Sequence, residues 1–131
     1  MASAASYENF LREHVDFPTT NTSDPLQYCN RMMKRRKMAT PSHCKHLNTF
    51  LHADPFYIQA VCGDGGTPTT GDLRESEAVF PLTLCRLLKS SWAPDCRYEG
   101  NSSTEKIIIA CEDGQPVHLE TEVPSVMEPW D

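Results

Sequence analysis

Apolar residues recur at helical spacing near the beginning of the chain. Over residues 5 to 15 they fall on one side of a helix, at Tyr7, Phe10, Leu11 and Val15. Polar residues fill most positions between them, so the pattern predicts an amphipathic helix. His14 follows Phe10 by four residues and is therefore expected on the inward side of that helix.

Two Asp-Pro pairs indicate the beginnings of further helices. Proline in the first turn loses no N–H that the helix needs, so Asp24-Pro25 and Asp54-Pro55 both suit a helix start. We predict one helix from about Pro25 to Arg36. A shorter one is predicted from Phe56 to Val61, ending at Gly63.

After residue 63 the pattern is typical of strands. Turn sequences occur at Gly63-Asp64-Gly65-Gly66, at Pro94-Asp95 and at Asp113-Gly114. Helices first and antiparallel strands later give an α+β fold. The Gly/Thr-rich stretch from 63 to 72 is predicted to be a flexible surface loop, and 124 to 131 an acidic, poorly ordered tail.

Composition changes this picture mainly through the cysteines. The chain has 131 residues, which suits a single domain over 1–131 with a flexible N-terminus at 1–5. Only 39% of residues are hydrophobic and ten are proline, so the core is modest and the six cysteines are expected to form stabilising disulfides. No CxxC pair occurs, which disfavours a structural zinc site, and six cysteines leave fifteen possible pairings.

Disulfides persist in oxidising compartments, so the chain is expected to be secreted. Sequons at Asn21 and Asn101 agree with export. No apolar stretch approaches the roughly twenty residues of a membrane span. The first six residues lack the features of a signal peptide, so we expect a mature chain that begins with an initiator Met.

Three segments together resemble the pancreatic-type ribonuclease superfamily. The first is Cys44-Lys45-His46-Leu47-Asn48-Thr49-Phe50, which matches the family signature. The second, Phe10 to Asp16, resembles the N-terminal helix that carries a catalytic His, and the third, Ile107 to Glu120, resembles the last two strands. The number of cysteines is similar to that of angiogenin. The chain therefore resembles a three-disulfide, angiogenin-like member from a non-mammalian vertebrate.

The resemblance implies a specific fold. Three helices from the N-terminal half would pack on a bent antiparallel β-sheet. It also selects one set of disulfides: Cys29–Cys85, Cys44–Cys96 and Cys62–Cys111. Each would close a loop of about fifty residues, which the chain-entropy model credits with about 4 kcal/mol of stabilisation.

The resemblance further implies an endoribonuclease that needs no metal or cofactor. It would cleave single-stranded RNA on the 3′ side of pyrimidines and form a 2′,3′-cyclic phosphate. His14 would be the base and His118 the acid, because imidazole accepts and donates protons near neutral pH. Lys45 would stabilise the charge that develops on the phosphate. His43, His46 and His52 match no catalytic position and are interpreted as surface or structural residues.

Further residues are expected around this triad. Glu120, two residues beyond His118 on the same face of a strand, is expected to orient that imidazole, although the family normally has Asp there. Asn48 would brace the site, Thr49 would pair with the pyrimidine edge, and Leu47 and Leu119 would line its pocket. The full set expected at the substrate is Arg12, Asn48, Thr49, Leu47, Leu119 and Glu112.

Charge distinguishes the chain from strongly basic members of the family. The net charge is −6, and Glu13 stands where the family usually has Gln, so a carboxylate would repel the scissile phosphate. We therefore expect modest activity. A basic patch remains near the end of the second predicted helix, and its cations either bind RNA or balance the helix C-terminus. It consists of Arg31, Lys34, Arg35, Arg36 and Lys37.

The patch leaves a second function open. Angiogenin has a basic run at this place that is associated with nuclear entry and RNA binding. The alternative is therefore an angiogenin-like secreted signalling or host-defence protein with weak residual ribonuclease activity, able to enter the nucleus after uptake. The expected partners are single-stranded RNA and, as candidates, a ribonuclease inhibitor or a cell-surface receptor. The chain is expected to be a monomer.

Overall fold

The computed structural model describes residues 5–123, and for 121–123 the backbone alone. The expected acidic tail, 124 to 131, lies outside the described residues, as does most of the expected flexible N-terminus. The helices are α1 (Tyr7–His14), α2 (Pro25–Arg35) and α3 (Pro55–Gln59), and a 3₁₀ turn, Ala60–Cys62, follows α3 directly. None of the helices in this part of the chain is long and apolar enough to cross a membrane.

Side-chain oxygens cap the first turns of all three helices. The Ser6 hydroxyl accepts the backbone N–H of Asn9 at 3.1 Å in α1, and Asp24 accepts that of Gln27 at 2.8 Å in α2. Asp54 accepts the N–H of Phe56 at 2.9 Å. The two Asp-Pro pairs therefore mark helix starts as predicted, because α2 begins at Pro25 and α3 at Pro55.

Six strands form one antiparallel sheet. They are β1 (Leu47–Leu51), β2 (Gly66–Pro68), β3 (Leu73–Ser76), β4 (Phe80–Leu87), β5 (Tyr98–Glu112) and β6 (Gln115–Val123). Their order is β1-β4-β5-β3-β2, with β6 also paired to β5. The long β5 changes partner along its length: residues up to Glu105 pair with β4, and Lys106 onward pairs with β6. β5 therefore joins the two parts of the sheet. The three helices and this sheet form the α+β fold that the sequence predicted.

The stretch from 63 to 72 is not entirely a loop, and that prediction is corrected. Gly66–Pro68 forms β2, which pairs with β3 through residues 74–76. The Arg74 guanidinium also donates to the carbonyls of Val61, Gly63 and Gly66, each at 2.8 Å. The Gly/Thr-rich sequence shows no strand pattern. This segment is ordered by contacts with the rest of the fold, which no local pattern predicts.

Two apolar clusters form the core. The first joins α1 to the sheet through Phe10, Leu51 and Ile109, and the second joins α2 to the sheet through Met32, Phe50 and Tyr98. All three disulfides implied by the family resemblance are present. Cys29–Cys85 lies within the second cluster, between α2 and β4, so it fixes the helix on the sheet.

Candidate active site

His14 is the last residue of α1 and faces β1. Its Nδ1 lies 3.0 Å from the backbone carbonyl oxygen of Thr49. Because a carbonyl oxygen can only accept, Nδ1 carries the proton and Nε2 keeps a free lone pair. Burial lowers the pKa of His14 to about 4, the hydrogen bond to Thr49 opposes this, and Lys45 lowers it further. The imidazole is therefore neutral near pH 7 and can accept a proton at Nε2.

Lys45 is anchored on both sides of its backbone. Its N–H donates to the Met38 carbonyl at 2.9 Å, and its carbonyl accepts the Tyr98 hydroxyl at 2.6 Å. The ammonium donates to Asn48 Oδ1 at 2.9 Å and lies 3.3 Å from Glu13 Oε1. The positive charge is thus held beside His14 but is already paired with a carboxylate.

Asn48 is buried and bridges the two elements of the site. Its Nδ2 donates to the backbone carbonyl of Glu13 at 2.8 Å, while its Oδ1 accepts from Lys45. Both ends of the amide are therefore used by the protein. This arrangement suits the bracing role expected of Asn48 and fixes the last turn of α1 relative to β1.

His118 lies on β6, opposite Ala110 of β5, and its side chain is exposed. Helix α1 packs against β6, and the positive charge of His118 contributes to lowering the pKa of His14. His118 therefore lies close enough to His14 to affect its pKa electrostatically. An exposed imidazole next to a buried neutral one is an arrangement that supplies one proton donor and one acceptor.

Glu120 was expected to orient His118. No hydrogen bond or ion pair within the described side chains joins the two residues. The strand register is irregular here: Ile109 pairs with Leu119 and Ile108 with Thr121, so Glu120 is an extra residue in a bulge. His118 and Glu120 are both exposed, with the partly buried Leu119 between them, so the orienting role of Glu120 stays a prediction.

The residues expected at the pyrimidine pocket lie on β1 and β6. Thr49 is buried next to His14, Leu47 is half exposed at the beginning of β1, and Leu119 packs at the margin of the first core cluster. Glu112 is exposed at the end of β5, directly before the turn into β6. The structure therefore places Thr49 against His14, while Glu112 lies at the tip of a hairpin.

The basic patch divides into two kinds of residue. Four of its members are exposed on or just after α2: Arg31, Lys34, Arg35 and Lys37. Arg36 instead turns inward and donates to three carbonyls of residues 11, 12 and 15, with Asp16 at 3.5 Å. Arg12 also turns toward α2, where it donates to the Arg36 carbonyl at 2.5 Å, and it lies 3.4 Å from Glu13 Oε2.

Sequence reasoning missed three features of the site. The Glu13–Lys45 ion pair joins residues 32 positions apart, and no sequence pattern predicts such a contact. Tyr98 supports Lys45 although nothing in its surroundings singled it out. Arg36 was grouped with surface cations because its neighbours are basic.

All six cysteines form disulfides, and among the described residues no cluster of His, Cys, Asp or Glu could hold a metal ion.

Comparisons with known proteins give the family. Residues 5–120 match the family model described as pancreatic ribonuclease. A ribonuclease from Chelydra serpentina is 51% identical over 117 residues, which cover 89% of this chain and 98% of the relative. An angiogenin from Saguinus oedipus is 39% identical over 118 residues, which cover 89% of this chain and 78% of the relative.

A solved structure extends the similarity to three dimensions. The crystal structure of green turtle egg white ribonuclease superposes with a TM-score of 0.86 at 50% identity, and the alignment covers 89% of this chain and 98% of the other. Sequence and fold therefore agree over nearly the whole described chain. The chain belongs to the pancreatic ribonuclease family, a family of endoribonucleases with both ribonucleases and angiogenins among its members.

Proposed function

We propose that the protein cleaves single-stranded RNA on the 3′ side of pyrimidines by transphosphorylation. His14 Nε2 removes the proton of the 2′-hydroxyl, whose oxygen then attacks the adjacent phosphorus. His118 protonates the departing 5′-oxygen, so the products are a 2′,3′-cyclic phosphate and a free 5′-hydroxyl. Lys45 stabilises the additional negative charge on the nonbridging oxygens.

The observation that carries this proposal is the hydrogen bond from His14 Nδ1 to the Thr49 carbonyl, at 3.0 Å. It fixes the tautomer that a general base needs, as the third member of a catalytic triad does for its histidine. Burial keeps the pKa of this imidazole low enough, at about 4, for the neutral form to dominate at physiological pH. His118 is exposed and can meet the leaving group from solvent.

Pyrimidine preference is supported by the position of Thr49. Thr49 accepts a hydrogen bond from the proposed general base, His14, and is also expected to pair with the pyrimidine. One strand residue would therefore position both the nucleobase and the 2′-hydroxyl. Leu47 is half exposed beside it, which suits an apolar wall that closes on a bound ring. Glu112, at the tip of the β5–β6 hairpin, is proposed to contact the following nucleotide.

Modest activity is supported by two electrostatic features. Lys45 is paired with Glu13 at 3.3 Å, so a substrate phosphate has to compete with a resident carboxylate for its charge. The net charge of −6 weakens long-range attraction of RNA. Neither feature removes a proton-transfer group, so the chemistry is retained at reduced rate.

The test uses dinucleotides, which have one scissile bond. The wild type should cleave uridylyl- and cytidylyl-adenosine faster than the purine analogues, with the cyclic phosphate detected by ³¹P NMR. His14→Ala and His118→Ala should each lower kcat by at least a hundredfold, because each removes a proton-transfer group. His43→Ala is the matched control, since His43 is an exposed histidine outside the site, and it should behave as wild type.

Residual activity of most of the wild-type value in His14→Ala or His118→Ala would defeat the assignment of base and acid. Equal cleavage after purines and pyrimidines would defeat the proposed specificity alone. The pH profile of kcat/KM should pass through a maximum, because one imidazole must be neutral and the other protonated.

The family is generally secreted, and we propose the same location for this protein, where its disulfides would persist. The proposed partner is single-stranded RNA. A monomer suffices for this chemistry, because every proposed catalytic residue lies on one chain.

A signalling or host-defence role is the second candidate. It is favoured by a surface depression on α2 lined by Gln27, Asn30, Arg31, Lys34 and Arg35, which concentrates exposed cations on an otherwise acidic protein. This surface is proposed to bind a cell-surface receptor. A triple substitution of Arg31, Lys34 and Arg35 by Gln should abolish cell binding and leave dinucleotide cleavage unchanged. Binding that survives this substitution would remove the candidate.

A further inference from the structure

Arg36 differs from its basic neighbours in where its charge lies. It caps the C-terminus of α2 and is half-buried, whereas Arg35 and Lys37 on either side of it are exposed. Its guanidinium crosses to the end of α1. Nη1 donates to the carbonyls of Leu11, Arg12 and Val15 at 3.2, 2.8 and 2.8 Å.

These contacts lie at the end of α1, where a helix leaves backbone carbonyls unpaired. The carbonyl of Arg12 lies in the last turn of α1, at the negative end of the helix dipole. The Leu11 carbonyl also accepts the N–H of Val15, and Val15 itself follows the helix. The single nitrogen Nη1 reaches all three carbonyls while Nη2 faces Asp16, so the contacts use both terminal nitrogens of the planar guanidinium, whereas an ammonium has only one nitrogen. Asp16 lies 3.5 Å from Nη2 and balances the charge.

The contact is reciprocal. Arg12, on the last turn of α1, donates to the carbonyl of Arg36 at the end of α2. The ends of the two helices are therefore joined in both directions by arginine side chains. Because Cys29–Cys85 fixes α2 to the sheet, these arginine contacts also hold the end of α1 in place relative to the sheet.

The end of α1 is also where the chemistry begins. The turn that Arg36 holds contains Glu13, whose carbonyl accepts from Asn48, and His14, whose ring donates to Thr49. A movement of this turn would shift His14 Nε2 relative to the 2′-hydroxyl. Misplacement by about 1 Å can cost about a hundredfold in rate.

We propose that Arg36 is a positioning residue for RNA cleavage: by binding the carbonyls at the end of α1, it holds His14 within reach of the 2′-hydroxyl. This inference rests on the proposed function, in which His14 is the general base. It separates Arg36 from the basic patch, because its guanidinium serves the catalytic helix and the remaining cations face solvent.

The experiment compares Arg36→Ala, Arg36→Lys and Arg35→Ala on uridylyl-adenosine, with kcat calculated per folded molecule from circular dichroism. Arg36→Ala should lower kcat by about tenfold or more with KM changed less than about threefold, since substrate contacts remain and only alignment is lost. Arg36→Lys keeps the charge but not the fork, so it should lose part of this rate. Arg35→Ala removes one exposed cation and should keep the wild-type kcat.

NMR titration of His14 supplies a readout that a purely structural role would not move. Glu13, Lys45 and His118 are the charged groups that act on His14, and all three remain in every variant. If α1 loosens, water reaches the ring and the pKa of His14 rises from about 4 toward its ordinary value of 6.5. The rise should appear in Arg36→Lys, where charge is conserved, and not in Arg35→Ala.

Wild-type kcat and an unchanged His14 titration in both folded Arg36 variants would overturn the inference while leaving the proposed reaction intact. Failure of both Arg36 variants to fold would also overturn it, because the residue would then serve the fold alone. If instead His14→Ala keeps its activity, the proposed function fails first, and the two failures are distinguished by that variant.

Discussion

Replacement of Glu13 by glutamine tests why this enzyme should be slow. In the structure the Glu13 carboxylate lies 3.3 Å from the Lys45 ammonium, and the two side chains are 30% and 35% exposed. A phosphate that uses Lys45 must displace this carboxylate or approach beside it. Glutamine has nearly the same shape, and its amide can accept from Lys45 and donate to the phosphate.

The size of the effect follows from the pair itself. At an effective dielectric constant of about 20, the bare attraction at this distance is about 5 kcal/mol. Partial exposure, desolvation and side-chain entropy reduce the net value of such pairs to about 1 kcal/mol. Releasing that amount in the transition state raises kcat/KM by about fivefold, and loss of carboxylate–phosphate repulsion adds to it. Lys45 stays in place because Asn48 still accepts from it at 2.9 Å.

The assay is steady-state cleavage of uridylyl-adenosine by Glu13→Gln, with Glu8→Gln as the control. Glu8 lies in the first turn of the same helix and is exposed, so its replacement makes the same change in net charge away from the site. Glu13→Gln should raise kcat/KM about fivefold to tenfold, and the gain should persist at moderate salt, where distant charges are screened. Glu8→Gln should stay within about twofold of wild type.

The pH profile gives a second reading of the same substitution. Burial is the main reason that the pKa of His14 lies near 4, and the Glu13 anion opposes it by raising that pKa. Without the anion, the acidic limb of kcat/KM should move to lower pH. An unchanged or reduced kcat/KM in Glu13→Gln would refute the reasoning and show that the carboxylate serves the site.

Three further predictions concern stability and support. Acid should destabilise the fold through His14, because between pH 6.5 and about 4 the unfolded chain binds more protons; the loss should reach at most about 3 kcal/mol by urea unfolding and be absent in His14→Asn. Asn48→Ala should lower the free energy of unfolding by about 1 to 3 kcal/mol and kcat by about tenfold, since it leaves Lys45 and the Glu13 carbonyl without their shared partner; wild-type values of both would contradict this. Lys37 adopts a left-handed φ of 68°, so Lys37→Gly should raise the free energy of unfolding by about 0.5 to 1 kcal/mol, whereas Lys34→Gly within α2 should lower it.

Local signals in the sequence determined much of the fold. The Asp-Pro pairs located the starts of α2 and α3, because helix capping is decided by residues within one turn of each other. The spacing from Phe10 to His14 predicted a helix with the histidine inward, and the histidine does lie half-buried against β1. The disulfide pairing could not come from spacing and was supplied by resemblance to the family.

Tertiary structure decided what each charged side chain of the candidate site touches. The sequence contained Glu13, Lys45 and Arg36, but the Glu13–Lys45 pair spans 32 positions and the carbonyls that Arg36 binds lie 21 to 25 positions before it. Such contacts depend on how α1 and α2 dock on the sheet. Until that docking is known, the sequence does not show whether a charged side chain lies in solvent or against a buried carbonyl. Arg36 was therefore grouped with the surface cations beside it.

The last strand illustrates the same division. Alternation along β6 predicted that Glu120 would share a face with His118. The pairing with β5 inserts an extra residue at Glu120, and this register follows from packing between two strands. Sequence alone therefore determined the residue types available for catalysis, while their alignment was determined by long-range pairing, which no local pattern encodes.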